Sequence, residues 1–209
     1  MICPDCRGEI LYVREPRCMR CGKPLKRETE EYCPDCREHP SCIRQGRSVW
    51  LHRGKVPGAI YRFKYHNRRR YGKVFASEMM RCCGDELKRW RIGLIIPVPL
   101  HPSRKRVRGY NQAEILADEL SLLTGIPARN DILYRIKRTS PQKKLDGSGR
   151  RKNLRGAFAV KRGENLPQNV LLIDDIYTTG STVERCAKML RLGGAQNVYF
   201  LTVSIGQGI

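Results

Sequence analysis

The chain has 209 residues, with 41 Lys and Arg against 20 Asp and Glu, a formal net charge of +21. This length suits one ordinary domain with a small appendage, and an apolar content of 40% excludes wholesale disorder. No run approaches the ~18 apolar residues of a membrane span, and the start, MICPDCRGEI, lacks a secretion signal's basic and then apolar stretch. The expected location is therefore the cytoplasm. The charge points to polyanionic partners. It is concentrated in the middle: residues 1–50 carry net +2, 51–100 carry +9, 101–160 carry +9 and 161–209 carry +1.

The front of the chain holds three Cys-x-x-Cys pairs, Cys3/Cys6, Cys18/Cys21 and Cys33/Cys36. Two such pairs supply four thiolates to one tetrahedral Zn²⁺, the usual structural site. Disulfides are the alternative, and a reducing compartment disfavours them. Eleven residues separate Cys6 from Cys18, and eleven separate Cys21 from Cys33, so spacing does not choose the quartet. The pair left over is either reduced or joined to Cys42 in a second, poorer site. Four thiolates leave no open position for a substrate, so the module is expected to be structural or to dock a partner. A segment this short draws most of its folding energy from the metal. The expected division is a zinc-binding module over 1–46 and a main domain over 47–209. Cys82, Cys83 and Cys186 read as small buried apolar residues.

Next comes YRFKYHNRRRY (61–71), where five cations interleave with Tyr61, Phe63, Tyr65 and Tyr71. Two readings apply. Aromatics among cations stack on bases while the cations follow phosphates, as in single-strand binding. Alternatively, the alternation marks a strand with aromatics in the core and cations in solvent.

Beyond it, LIIPV (94–98), VLLID (170–174) and VYFLTV (198–203) are short apolar runs rich in β-branched residues, which read as buried parallel strands. Helices are expected between them. One spans roughly 72–90, with Phe75, Met79, Cys83 and Trp90 facing inward. A second carries Ala113, Leu116, Ala117, Leu120 and Leu123 and ends at Gly125. A third runs from about Ser181 to Leu192, with Val183, Cys186, Ala187 and Leu190 on one face. The fold class is α/β, wound around a parallel sheet. Residues 138–155, RTSPQKKLDGSGRRKNLR, are basic and polar, too long for an ordinary connection, and read as a mobile functional loop.

Ligands of such sheets bind beyond the carboxyl ends of the strands. At one such end stand Asp174 and Asp175, followed by IYTTGST. A helix N-terminus offers unpaired N–H groups and partial positive charge. Thr178, Thr179, Ser181 and Thr182 add hydroxyls, and Gly180 permits close backbone approach. Together these make a monophosphate cradle. Two carboxylates just before it suit a sugar phosphate, with the diol on the acids and the phosphate in the turn. They also suit Mg²⁺, held directly or through water.

VLLIDDIYTTGST resembles the phosphoribosyl pyrophosphate signature of the type I phosphoribosyltransferases. The resemblance implies that Asp174 and Asp175 bind the ribose 2′- and 3′-hydroxyls, and that Thr178 to Thr182 bind the 5′-phosphate. The Cys-x-x-Cys front, IPVPLH (96–101), RGYNQAEILA (108–117) and SPQKKL…RRKNLRGAF (140–158) are similar, in order, to the ComF family of competence-associated proteins. The related amidophosphoribosyltransferases imply a pyrophosphate loop at PVPLH and a closing lid at 138–155. Lys64, Arg104, Arg106 and Arg108 are then candidates for the leaving pyrophosphate, and Arg138, Gln142, Lys143 and Arg151 for the lid. In the implied chemistry Mg²⁺ and basic side chains hold the pyrophosphate while a nucleophile attacks ribose C1′. Such catalysis rests on positioning and charge stabilisation.

No acceptor pocket or fixed general base is legible. His52, His66 and His101 read either as acid–base groups or as ordinary surface residues. No Cys stands in an amidotransferase context, so glutamine hydrolysis is unsupported. The expected function is binding of phosphoribosyl pyrophosphate with Mg²⁺, with or without transfer, linked to DNA uptake. The alternatives are single-stranded DNA binding, or docking of a helicase or another uptake component by the zinc module.

Overall fold

The computed structural model describes residues 2–137 and 156–206. Its strands are β1 (Ile43–Leu51), β2 (Leu94–Pro97), β3 (Leu133–Arg135), β4 (Phe158–Val160), β5 (Asn169–Tyr177) and β6 (Asn197–Ile205). β1, β6, β5 and β2 form, in that order, one parallel sheet, and β3 and β4 form a short antiparallel pair. The helices are α1 (Pro4–Gly8), α2 (Pro34–Glu38), α3 (Val56–Tyr65), α4 (Tyr71–Trp90), α5 (Pro102–Arg108), α6 (Gln112–Thr124) and α7 (Ser181–Leu192). Among the described residues no helix is long and apolar enough to cross a membrane.

β2, β5 and β6 grow from the three apolar runs. β1 escapes the sequence reading because IRQGRSVWL breaks its apolar pattern with Arg47 and Gly46. Both are explained by packing. Arg47 is buried because Glu86 of α4 lies 3.4 Å from its Nε, and Arg17 joins the same carboxylate at 2.7 Å. Gly46 is required because the Phe200 ring occupies the place of a Cβ. β1 runs across the expected 46/47 division, and its outer edge is covered by the front of the chain. Val13 N–H donates to Val49 O at 2.9 Å and Leu51 N–H to Leu11 O at 2.8 Å, which occupies part of the edge that β1 would otherwise offer to another chain.

α4, α6 and α7 match their expected spans. In α4, Phe75, Met79, Cys83 and Trp90 are buried as the helical period requires, and Arg91 ends it in the left-handed region at φ 48°. Cys83 and Cys186 are buried, whereas Cys82 is only half-buried. The strand reading of 61–71 is overturned. Pro57 enters the first turn of α3, and Val56, Ile60 and Phe63 repeat at helical spacing on its buried face. Only Phe63 of that aromatic group is fully buried, while Tyr61 and Tyr65 are 52% and 58% exposed.

The sheet separates two apolar clusters. One lies under α3, α4 and α6 and includes Leu171 and Ile173 of β5. The other contains Val170 and Leu172 of the same strand, Val183 and Cys186 of α7, Phe158 of β4, and Cys18, Cys21 and Cys33. Successive residues of β5 thus serve opposite faces.

Candidate functional site

β2 stops pairing with β5 at Pro97 and Ile173, and the last bond on that edge is Val98 N–H to Ile173 O at 2.9 Å. Asp174 is the first β5 residue past that point, still paired on its other side with Thr202 of β6. The two acids therefore stand where the sheet edge opens. Asp175 is 1% exposed. Lys64 of α3 forms an ion pair with its Oδ2, and Gln112 Nε2 of α6 donates to its Oδ1 at 2.8 Å. Asp174 is half-buried, and its Oδ1 accepts from the Asp175 N–H at 2.9 Å.

These surroundings split the pair. Burial pushes the Asp174 carboxyl well above the usual range, and the Asp175 charge pushes the same way against the pull of Lys64. Burial also pushes Asp175 up, but the Lys64 ammonium and the Gln112 amide prevail and hold it below the usual range. The surroundings thus favour the charge on Asp175 and disfavour it on Asp174.

The turn follows directly. Gly180 has φ 74°, and a Cβ there would collide with the Tyr177 phenol, so only glycine fits. Ser181 begins α7 with no side chain capping its first turn. Thr179 Oγ1 and Ser181 Oγ lie 2.9 Å apart, Ser181 is buried, and Thr178, Thr179 and Thr182 are half-buried around the opening. Hydroxyls therefore stand beside the uncapped start of α7.

RGYNQ joins this end to the opposite helices. The Tyr110 hydroxyl donates to Phe63 O. Asn111 Nδ2 donates to Val98 O at 3.0 Å, and its Oδ1 caps α6 by accepting from Ala113 N–H at 3.1 Å. Arg108 donates to Gln112 Oε1 while its guanidinium lies 4.8 Å from the Tyr65 ring centre. Arg108, Gln112, Asp175 and Lys64 therefore form one continuous network. Of the other pyrophosphate candidates, Arg104 is half-buried and Arg106 exposed, both on α5. Arg138, Gln142, Lys143 and Arg151 lie outside the described residues.

The histidines divide. His101 caps α5, accepting from Ser103 N–H at 3.2 Å, His52 Nδ1 lies 3.1 Å from Ser204 Oγ, and His66 is exposed beside the Tyr61 ring. Three further residues reach the site without a sequence signal of their own: Gln112, Tyr177 and Arg135. Arg135 is buried on β3 with its guanidinium 5.3 Å from the Phe158 ring centre. Burial and the Arg104 charge lower its pKa, while Cys186 and Asp174 raise it, so it shares the electrostatic surroundings of Asp174. Only the β3–β4 pairing places it there.

The front of the chain settles the quartet. Cys18, Cys21, Cys33 and Cys36 hold their sulfurs within 4.8 Å of one another, and Cys21 and Cys33 are 3.6 Å apart. A tetrahedral Zn²⁺ with bonds of about 2.3 Å requires sulfurs about 3.8 Å apart, so the arrangement fits. Cys18 N–H donates to Lys23 O at 2.7 Å and Gly22 N–H to Cys18 O at 2.9 Å, closing the first knuckle. Lys23 Nζ ties it to Asp35 of the second at 2.6 Å. Hydrogen bonds among the four thiols push Cys18 and Cys33 down and Cys21 and Cys36 up, as follows when sulfurs are packed this closely. Cys3 is exposed, Cys6 and Cys42 are half-buried, and no second such cluster occurs among the described residues.

Comparison with known proteins agrees with this anatomy. A family model described as a double zinc ribbon domain matches residues 1–37. Competence protein F of Haemophilus influenzae is 33% identical over 94% of this chain and 93% of its own length. Competence protein ComFC of Streptococcus pneumoniae is 30% identical over 94% of this chain and 84% of its own. The DNA utilization protein YhgH of Salmonella typhimurium is 28% identical over 94% and 87%. Among solved structures, a purine phosphoribosyltransferase from Pyrococcus horikoshii covers 63% of this chain and 83% of its own, at 15% identity and a TM-score of 0.38. That likeness is too loose to add to the sheet order described above. The sequence matches run through both the cysteine module and the sheet, and on them the chain belongs to the ComF family of competence proteins.

Proposed function

We propose that this protein binds phosphoribosyl pyrophosphate with Mg²⁺, as a phosphoribosyltransferase-like component linked to DNA uptake. The observation that carries the reading is the glycine turn at the N-terminus of α7, next to a split carboxylate pair where the β2 edge ends. The relatives named for competence and DNA utilization support the link to uptake. In this reading Asp174 and Asp175 accept from the ribose hydroxyls, and Thr178, Thr179, Gly180, Ser181 and Thr182 hold the 5′-phosphate. Lys64, Arg104, Arg106 and Arg108 face the pyrophosphate, and Arg138, Gln142, Lys143 and Arg151 close over it. Mg²⁺ takes mainly phosphate oxygens and waters with one or two carboxylates, and the half-buried Asp174 fits that share. The ion would neutralise pyrophosphate charge. The chain's own residues orient the ribose and keep the leaving group among cations.

Calorimetric titration of phosphoribosyl pyrophosphate with Mg²⁺ tests the reading. Wild type should bind, and the Asp174→Asn/Asp175→Asn double variant should lose at least about 100-fold in affinity, the size expected when charge-assisted hydrogen bonds are lost. Equal binding in both would remove the acids from the site. Turnover is read as pyrophosphate release across amine and base acceptors.

A second reading, single-stranded DNA binding, is favoured by one observation. Tyr61 and Tyr65 are exposed on α3 with ring centres 5.0 Å apart, among the exposed Arg62, Arg68, Arg69 and Arg70. Exposed aromatics flanked by cations suit bases and backbone phosphates. Binding of an oligothymidine should fall steeply with salt, weaken in Tyr61→Ala/Tyr65→Ala, and survive Asp174→Asn. Insensitivity to the tyrosines would end this reading.

A further inference from the structure

The zinc centre and the turn after β5 are packed against each other. Cys18, Cys21 and Cys33 share a buried cluster with Tyr177, Phe200 and Val183. Tyr177, the last residue of β5, is 7% exposed, and its ring stacks on Phe200 at 4.6 Å with an interplanar angle of 2°. On one side its phenol fills the place of a Cβ at Gly180. On the other, Phe200 fills the place of a Cβ at Gly46, whose N–H donates at 2.7 Å to the carbonyl of Arg20, between Cys18 and Cys21. A second tie holds the helix. Glu184, in the first turn of α7, accepts from Ser41 Oγ at 2.6 Å and from the Cys42 N–H at 2.7 Å. The turn from Tyr177 to Glu184 is thus gripped at both ends by the cysteine-bearing segment.

We propose that Tyr177 is a positioning residue that couples metal occupancy of the Cys18, Cys21, Cys33 and Cys36 centre to the phosphate affinity of the turn at 178–182. The inference rests on the phosphate-cradle reading above. A turn through Gly180 presents its N–H groups to one point only when the strand end and the helix start keep a fixed separation. The Tyr177 ring is the spacer that sets it, and Phe200 and Gly46 connect that ring to the backbone between the metal-binding cysteines. Tightly packed interiors transmit displacement rather than absorb it. Coupling of this kind is reciprocal: the donor strengthens metal retention by the same factor as the metal strengthens donor binding.

The test uses the full chain with Co²⁺ in place of Zn²⁺, because thiolate-to-cobalt absorption reports on the centre directly. Titration with phosphoribosyl pyrophosphate and Mg²⁺ should shift the cobalt bands along the isotherm measured by calorimetry. It should also strengthen metal retention against a chelator by at least about 5-fold, the lower end of ordinary coupling. Tyr177→Phe keeps the ring and should keep both effects. Tyr177→Ala should abolish both and weaken the donor by a similar factor with cobalt still bound. If that variant fails to fold, Glu184→Ala removes both acceptors of the second tie and should reduce the band shift. Donor binding by wild type with silent cobalt bands and unchanged metal retention would overturn the coupling and leave the cradle standing. No donor binding at all would overturn the cradle, and the coupling with it.

Discussion

On one face of the sheet, α3, α4 and α6 bury Trp50, Phe63, Met79 and Leu116 in an all-protein core. On the other, α7 and the β3–β4 pair leave a gap that is closed by three metal-binding cysteines and the short segments around them. The first face is held by burial, worth about 25 cal/mol per Å² of apolar surface. The second adds coordination to an apolar core of its own that includes Ile96, Leu172, Leu190 and Phe200. The two acids of β5 divide along the same line. Asp175 is paired with Lys64 and Gln112 from the helical face, and Asp174 shares surroundings with Arg135 and Cys186 on the metal face. Neighbours of one residue type are thus pushed in opposite directions because the sheet puts different chemistry on each side.

Removing the metal should break this comparison most strongly. Structural zinc contributes on the order of 10 kcal/mol or more to the folding of small modules. A chelator should therefore make residues 2–42 protease-sensitive while a fragment containing α4 and α6 survives. Loss of both together would mean the faces form one cooperative unit.

Next in size is Glu86→Ala, which strands the buried Arg47, leaves the half-buried Arg17 with Glu15 alone, and should cost about 3–5 kcal/mol. Urea unfolding reads it. Burial raises the Glu86 carboxyl, but the Arg17 and Arg47 charges win, and its pKa lies below the ordinary 4.5. A depressed acid stabilises the fold above its unfolded pKa and loses that contribution as pH falls through its folded pKa. The stability gap between wild type and Glu86→Gln should therefore be full at pH 7 and shrink only below the ordinary glutamate range. A gap independent of pH would mean the charge plays no part.

The two acids should then behave oppositely. Asp175→Asn leaves Lys64 without its anion and should cost about 1–3 kcal/mol. Asp174→Asn removes a charge that its surroundings disfavour, and should be neutral or stabilising by up to about 1 kcal/mol while donor binding falls. Equal losses of stability would erase the distinction between the faces. Smallest of all, Cys3→Ser/Cys6→Ser should leave metal content at the Cys18 to Cys36 centre unchanged and shift stability by no more than about 0.5 kcal/mol. Metal analysis and a thermal melt suffice to check it.

Most of the core strands were legible as short continuous apolar runs, and the long helices because their apolar residues repeat at a period of 3.6. β2, β5 and β6 follow the first pattern and α4, α6 and α7 the second. β1 was not legible, since its buried Arg47 and Gly46 make sense only beside Glu86 and Phe200. The alternation at 61–71 suggested a strand, but the stripe of Val56, Ile60 and Phe63 that makes α3 begins upstream of it. At the candidate site Asp174, Asp175 and the glycine turn announced themselves by spacing. Gln112, Arg135 and Tyr177 did not, because each acts through a partner more than 20 residues away in sequence.

By itself the sequence determined that a parallel sheet ends in a paired-acid, hydroxyl-rich turn, and that cysteine pairs at the front suit a tetrahedral ion. Periodicity and ligand spacing are local properties, and local properties survive in one dimension. Only the tertiary structure decided which four cysteines meet, on which acid the charge is favoured, and that the metal centre packs against the turn. Those are consequences of distance and burial between segments from 12 to 143 residues apart, and no spacing rule within one segment encodes them.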